Sequence, residues 1–178
     1  ASVNFAFVNR QMITHWTRDV FKKVFGSSDG MSQVYDVCHN LAKFEKHNIN
    51  GKEKQVCVHR KGATRSFPDQ PVLLAGSMGT SSYLLKGTKT AMEKSFGSSA
   101  HGAGRAMSRH GALKSFRGET ISQELADKGI VSKAPSPKSL AEEAPKAYKD
   151  VDEVINTVHN AEISLKVIRV EPVGVLKG

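Results

Sequence analysis

What most constrains this chain is the order in which its hydrophobic periods follow one another. The first is helical. Phe5, Val8, Met12, Trp16 and Val20 recur near the helical repeat, which predicts one amphipathic helix over residues 3–25, ended by Phe25-Gly26-Ser27-Ser28-Asp29-Gly30. Asn9, Arg10 and His15 fall on or beside its apolar stripe. Strand signals come next. Val34-Tyr35-Asp36-Val37-Cys38 and Gln55-Val56-Cys57-Val58-His59 flank a turn at Asn48-Ile49-Asn50-Gly51 and read as a hairpin. Two more, residues 71–75 and 82–86, flank the loop Gly76-Ser77-Met78-Gly79-Thr80. Helices are predicted over 88–96, from the loop 97–105 onward to about 114, over 120–128 with Gly129 as cap, and over 150–160, where acidic residues suit the first turn. Pro135-Ser136-Pro137 reads as a stiff turn, and strand signals return at 165–170 and 173–176. Helices and strands do not alternate, and no internal repeat is visible. The expected class is therefore α+β, with mixed sheets and flanking helices. Its 178 residues are enough for one domain.

Charge narrows the partners. There are 26 Lys and Arg against 17 Asp and Glu, a net +9, which favours a polyanion such as nucleic acid over a basic but inert surface only once a site is added to the argument. Cys38 and Cys57 make neither a disulfide framework nor a zinc motif, so a reducing, intracellular compartment is the default. No run approaches the ~20 apolar residues a membrane span needs, and no secretory signal is visible. The chain begins Ala1-Ser2-Val3 without an initiator methionine, which points to a processed or excised piece.

Four segments carry residue types suited to chemistry. Ser98-Ser99-Ala100-His101-Gly102-Ala103-Gly104-Arg105 sets a histidine ahead of three small residues, where backbone can approach a bulky ligand and free N–H groups at a helix start attract phosphate. A neutral imidazole there is a nucleophile for phosphorus. Gly76-Ser77-Met78-Gly79-Thr80-Ser81-Ser82 is a second cradle of small residues and hydroxyls, or a plain turn. In Tyr35-Asp36-Val37-Cys38-His39-Asn40, neighbouring Cys38 and His39 would face opposite ways on a strand, and His39 is the better metal candidate. His59-Arg60-Lys61-Gly62-Ala63-Thr64-Arg65 is a compact cationic loop, either suited to RNA phosphates through Arg60, Lys61 and Arg65 or a solvated basic turn.

These segments occur together and in one order, followed by Ser66-Phe67-Pro68 after the cationic loop, then Glu143-Ala144-Pro145-Lys146-Ala147-Tyr148 and a terminal Lys177-Gly178. The series resembles the C-terminal part of the RtcB family of GTP-dependent RNA-splicing ligases, over essentially the whole of residues 1–178. The resemblance implies the C-terminal portion of the RtcB-type fold and an activity that joins RNA 3′-phosphate or 2′,3′-cyclic phosphate ends to 5′-hydroxyl ends, in tRNA splicing and RNA repair. It implies GTP, Mn²⁺ (two ions per complete site) and RNA such as tRNA halves. By resemblance His101 takes GMP as a phosphoramidate, and His39 is a metal ligand. Asn40, Ala75, Gly76, Ser77, Met78, Ser82, Gly102, Ala103 and Gly104 line the guanylate. Tyr148 packs beside it and Lys177 reaches the guanine, as cations do with O6 and N7. Arg105 and Arg109, one helical turn apart, are expected to contact RNA phosphate. The family's other metal ligands and part of its nucleotide site lie in an N-terminal half that this sequence lacks. An incomplete fragment that binds RNA or guanine nucleotide without catalysis is the alternative. Relatives also often carry a longer insertion where only Asp69 stands between Pro68 and Gln70. The expected compartment is the cytoplasm, or the nucleus in a eukaryote.

Overall fold

A computed structural model describes residues 2–177. It is an α+β structure. The first helix, α1 (Ser2–Phe25), forms as its periodicity predicts, yet none of its residues is buried. Phe5 is 77% exposed, Trp16 56% and Phe25 71%. Arg10 ties it to the following segment by donating to Asp36 and to Cys38 Sγ at 3.3 Å.

A long hairpin follows, β1 (Asn40–Ile49) with β2 (Lys52–Lys61), antiparallel from Asn40↔Lys61 to Ile49↔Lys52. Asn50 and Gly51 both have positive φ, which suits the tight two-residue turn that matches strand twist. The turn and second strand lie where expected, but the partner strand does not. Residues 34–38 are irregular, and the strand begins at Asn40. Lys43, Glu45 and Lys46 break up any apolar alternation in β1, so its identity comes from pairing rather than from its own pattern.

Two short strands, β3 (Ala63–Arg65) and β6 (Ser98–Ala100), pair antiparallel. The central sheet has the order β4 (Pro71–Leu74), β5 (Ser82–Gly87) and β8 (Ser164–Val170). Its inward residues Val72, Leu74, Tyr83 and Leu85 pack on Val151 and Ile155 of α6 (Val151–Asn160). A second core is mainly helical. Ile121 and Leu125 of α4 (Gly118–Asp127) and Leu140 of α5 (Pro137–Glu142) enclose Met78, Ile130 and Ala144. Beside it β7 (Val131–Lys133) pairs in parallel with β9 (Gly174–Leu176). Helix α2 (Lys89–Ser95) precedes β6.

Two further expectations are corrected. Residues 101–107 do not open a helix; α3 (Arg109–Ser115) starts only after its cap, Ser108. Gly104 sits at φ +74°, and the backbone on either side pairs with other loops, so the helix cannot begin there. Arg105 is therefore outside the helix. The Pro135-Ser136-Pro137 turn conceals α5, with Ser136 capping Ser139 N–H and Pro137 at the first helical position, where it loses no hydrogen bond.

Candidate active site

Backbone pairing brings together the two small-residue loops. Ala75 N–H donates to His101 O and Ala103 N–H donates to Ala75 O, both at 3.1 Å, in a parallel bridge centred on Ala75 and Gly102. A Cβ on Gly102 would stand 3.2 Å from Ala75 O, so the close approach favours glycine. Beyond it a third segment joins. Ala106 N–H donates to Ala147 O at 2.8 Å and Lys149 N–H to Gly104 O at 2.9 Å, which sets Tyr148 opposite Arg105.

The 76–82 loop is held by its own hydroxyls. Gly76 N–H donates to Ser82 Oγ at 3.1 Å, and Ser77 N–H donates to Thr80 Oγ1 at 2.8 Å. Those two N–H groups are thus occupied within the loop. Met78 and Ala103 turn their side chains into the two cores, leaving backbone as what they present to a ligand.

His101 and His39 meet in a parallel stack, ring centroids 4.5 Å apart and 8° from coplanar. The hairpin's end supplies this contact: Gly62 N–H donates to His39 O at 3.1 Å, and a Cβ on Gly62 would lie 3.6 Å from His101 Nε2. Burial, and secondly the neighbouring His39, lower the His101 pKa from its ordinary value, so its imidazole is neutral near neutral pH and keeps a ring lone pair. Asn40 is exposed beside this pair. Among the described residues no three His, Cys, Asp or Glu side chains group as a metal would require. His39 is a single imidazole, and the residues present do not make a manganese centre by themselves.

The third segment carries a residue to which the sequence alone assigned no role. Glu143 accepts the Tyr148 hydroxyl on Oε2 and lies 3.4 Å from Arg105 Nη1, 3.5 Å from Arg109 Nε and 3.9 Å from Lys177 Nζ. Arg105 is fixed further by donating to Tyr148 Oη at 3.0 Å, to Met107 O at 3.0 Å and to Glu142 O at 2.7 Å. Its guanidinium carbon stands 4.9 Å from the Tyr148 ring centroid. Lys177 is anchored by its own N–H to Lys133 O at 2.9 Å. The 3-10 turn Pro145–Ala147 brings Glu143 and Tyr148 face to face. That turn, between two residues of the same motif, was the available signal.

The cationic loop divides. Arg60 is 2% exposed, bound twice to Glu45 at 2.8 Å, to Ser98 Oγ at 3.0 Å and to Phe96 O at 2.9 Å, which takes it out of the RNA-facing set. The cause is the strand alternation of β2, which turns Val58 and Arg60 inward together. Lys61 is exposed. Arg65 is half-buried, donating to Gln70 Oε1 at 3.0 Å with its guanidinium over the Phe67 ring. Arg109 is 71% exposed along its side chain despite the Glu143 contact.

The comparisons with known proteins bear on the whole of this arrangement. Residues 1–178 match the family model described as tRNA-splicing ligase RtcB, and the chain belongs to that family. The tRNA-splicing ligase RtcB of Archaeoglobus fulgidus is 52% identical over all of this chain, which spans 40% of that relative. The Pyrococcus abyssi protein of the same description is 51% identical, with 21% of its length spanned, and that of Thermococcus kodakarensis 50% identical, with 40% spanned. No helix among the described residues is long and apolar enough to cross a membrane.

Proposed function

We propose that this chain is the C-terminal catalytic part of a GTP-dependent RNA ligase that joins RNA 3′-phosphate or 2′,3′-cyclic phosphate ends to 5′-hydroxyl ends. The observation that carries the reading is His101, held neutral against His39 where the two small-residue loops pair. A ring nitrogen of His101 attacks the α-phosphorus of GTP and pyrophosphate leaves, giving a phosphoramidate. A 2′,3′-cyclic end is first opened at its P–O2′ bond by water; the RNA 3′-phosphate then takes the GMP as the P–N bond to His101 breaks, and the 5′-hydroxyl attacks the 3′-phosphorus, releasing GMP as the new phosphodiester forms. The small residues at 75–77 and 102–104, with Asn40 and Ser82, leave room for the nucleotide. Tyr148 packs beside it and Lys177 donates to the guanine edge. Lys61, Arg65 and Arg109 face the RNA, whereas Arg105 is held inward on the Tyr148 side.

Mn²⁺ would offset charge on the α-phosphate and pyrophosphate, with His39 as one ligand. The other ligands belong to an N-terminal portion. The exposed apolar face of α1 supports such a partner, because folded chains rarely leave so large an aromatic surface in water. A second reading is a binding module without catalysis, favoured by the lack of a complete ligand group among the described residues.

One experiment separates them. The chain is incubated with α-labelled GTP and Mn²⁺, alone and with the N-terminal portion of the Archaeoglobus fulgidus ligase. Acid-labile label on this chain, lost in His101→Ala, is the expected result. Label that persists in His101→Ala overturns the nucleophile, and no label in either arrangement leaves the binding module.

A further inference from the structure

We infer that Glu143 is a positioning residue for the nucleotide side of this site, gathering Tyr148, Lys177, Arg105 and Arg109 into one array that a guanine nucleotide meets already formed. The inference rests on the guanylate reading above, and concerns a residue that reading does not use.

The geometry is that of one carboxylate accepting from Tyr148, Arg105 and Arg109, with the Lys177 ammonium 3.9 Å away as an ion-pair neighbour. Three separate pieces of the chain converge on the carboxylate: the segment after His101 through Arg105 and Arg109, the 143–148 turn through Tyr148, and the chain's end through Lys177. The backbone of Lys177 is fixed by Lys133 O, but its ammonium has Glu143 as its acidic neighbour. Removing the carboxylate frees a long, rotamer-rich side chain. Tyr148 is held at its hydroxyl from two sides, by Glu143 as acceptor and Arg105 as donor. That fixes the hydroxyl end, and the Arg105 guanidinium, 4.9 Å from the ring centroid, restricts how the ring can turn. Tyr148 also lines an open depression of about 450 Å³, with Gly79, Thr80 and Ser81 on one part of its wall and Asp150, Asp152 and Glu171 on another. A flat aromatic face beside an open space suits a purine, and Lys177, held near the carboxylate that receives the Tyr148 hydroxyl, is a cation suited to a carbonyl edge rather than an amino edge. Three cations against one carboxylate also leave the cluster positive, which suits an anionic ligand.

Burial by itself pushes the Glu143 carboxyl up, but the Tyr148 hydroxyl, Lys177, Arg105 and Arg109 together bring it below the ordinary range, so it is a carboxylate throughout neutral conditions. Burial, and then Glu143, push the Tyr148 phenol up. The contact can therefore be read spectroscopically without any ligand.

The test compares wild type, Glu143→Gln and Glu143→Asp, each checked for folding by circular dichroism, alone and with the Archaeoglobus fulgidus N-terminal portion. Equilibrium dialysis with labelled GMP and AMP gives affinity and base preference. Ultraviolet titration of the phenols, with Tyr148→Phe identifying the residue, reads the contact. Glu143→Gln is expected to weaken GMP by about ten-fold, the scale of one hydrogen bond to a charged group, and to narrow the preference over AMP. It should also let Tyr148 ionise at lower pH. In self-labelling, KM for GTP rises by a similar factor while kcat changes by less than about two-fold, as loss of uniform binding predicts. Glu143→Asp recovers part of each effect, and it carries the test if the Gln variant does not fold. Glu143→Gln that binds GMP with wild-type affinity and preference overturns the inference alone. Wild type that binds no GMP in either arrangement overturns the guanylate reading, and this inference with it.

Discussion

Replacing Arg60 with alanine is expected to damage the fold rather than RNA contact. The Arg60 and Glu45 side chains are 2% and 8% exposed and make two 2.8 Å contacts, with Ser98 Oγ and Phe96 O completing the guanidinium's partners. Arg60→Ala leaves the Glu45 carboxylate buried with His47 Nε2 at 3.3 Å as its neighbour. Breaking a buried pair from one side costs about 3–5 kcal/mol, because a charge is left without compensation. For a chain of this size each kcal/mol moves Tm by about 2–4 °C, so a fall of roughly 6–20 °C is expected. Urea unfolding followed by circular dichroism gives the free energy. A double-mutant cycle with Glu45→Leu and Arg60→Met isolates the pair, and the double variant should be more stable than either single one. On RNA, Arg60→Ala should keep the wild-type salt dependence once corrected for the folded fraction, whereas Lys61→Ala lowers the slope by about one charge. A loss below about 1 kcal/mol, together with a salt slope lowered as far as by Lys61→Ala, would refute the burial argument.

Four other outcomes follow from the same structure. Burial pushes the Glu45 carboxyl up, but Arg60 and His47 bring it below its ordinary value. Its stabilisation is thus present above the unfolded pKa of about 4.3 and is lost as pH falls through the lower folded value, so urea midpoints of Glu45→Gln should vary less with pH in that acid window. Gly118→Ala would put a Cβ 1.9 Å from Pro137 O and force α4 away from α5; a loss of about 1–3 kcal/mol or more should appear in thermal melts. Gly104→Ala has open space for its methyl group but must hold φ +74°, so a loss of about 1 kcal/mol is expected in thermal melts. Arg109→Glu, on an exposed side chain, should weaken RNA binding and flatten its salt dependence while leaving Tm within a few degrees, as RNA titrations at several ionic strengths would show.

Legibility differed with the kind of interaction. Strands whose apolar residues alternate onto one core, such as 71–74 and 82–87, were read to within a residue or so, and so was α6 with its acidic first turn. Strand β1 was missed because Lys43, Glu45 and Lys46 carry no apolar pattern, while the Val34 to Cys38 run looked like a strand but has no strand partner among the described residues and instead receives Arg10. The helix expected after His101 failed for a related reason. Small residues permit a helix start, but the backbone of 102–106 is spent on Ala75 and on 147–149. The candidate site residues were named through the joint motif. Their separate segments gave no sign that the loops at 75 and 102 would touch. Nor did charge distinguish Arg60 from Lys61; the expected strand stopped at His59, and only its continuation to Lys61 turns Arg60 inward with Val58.

The pairing of loops across long stretches of chain also governs how the site comes into being during folding. Arg105 and Tyr148 are 43 residues apart and Arg60 and Ser98 are 38 apart, so no short peptide contains even half of the arrangement. Each such closure must pay its loop entropy before any contact repays it. The central sheet itself pairs Ser82 with Val170, a longer closure than either of these, so the histidine stack and the Glu143 array belong to the same cooperative transition as the sheet. Partly folded chains would hold the residues of the site without its geometry, and activity would appear together with the native state rather than ahead of it.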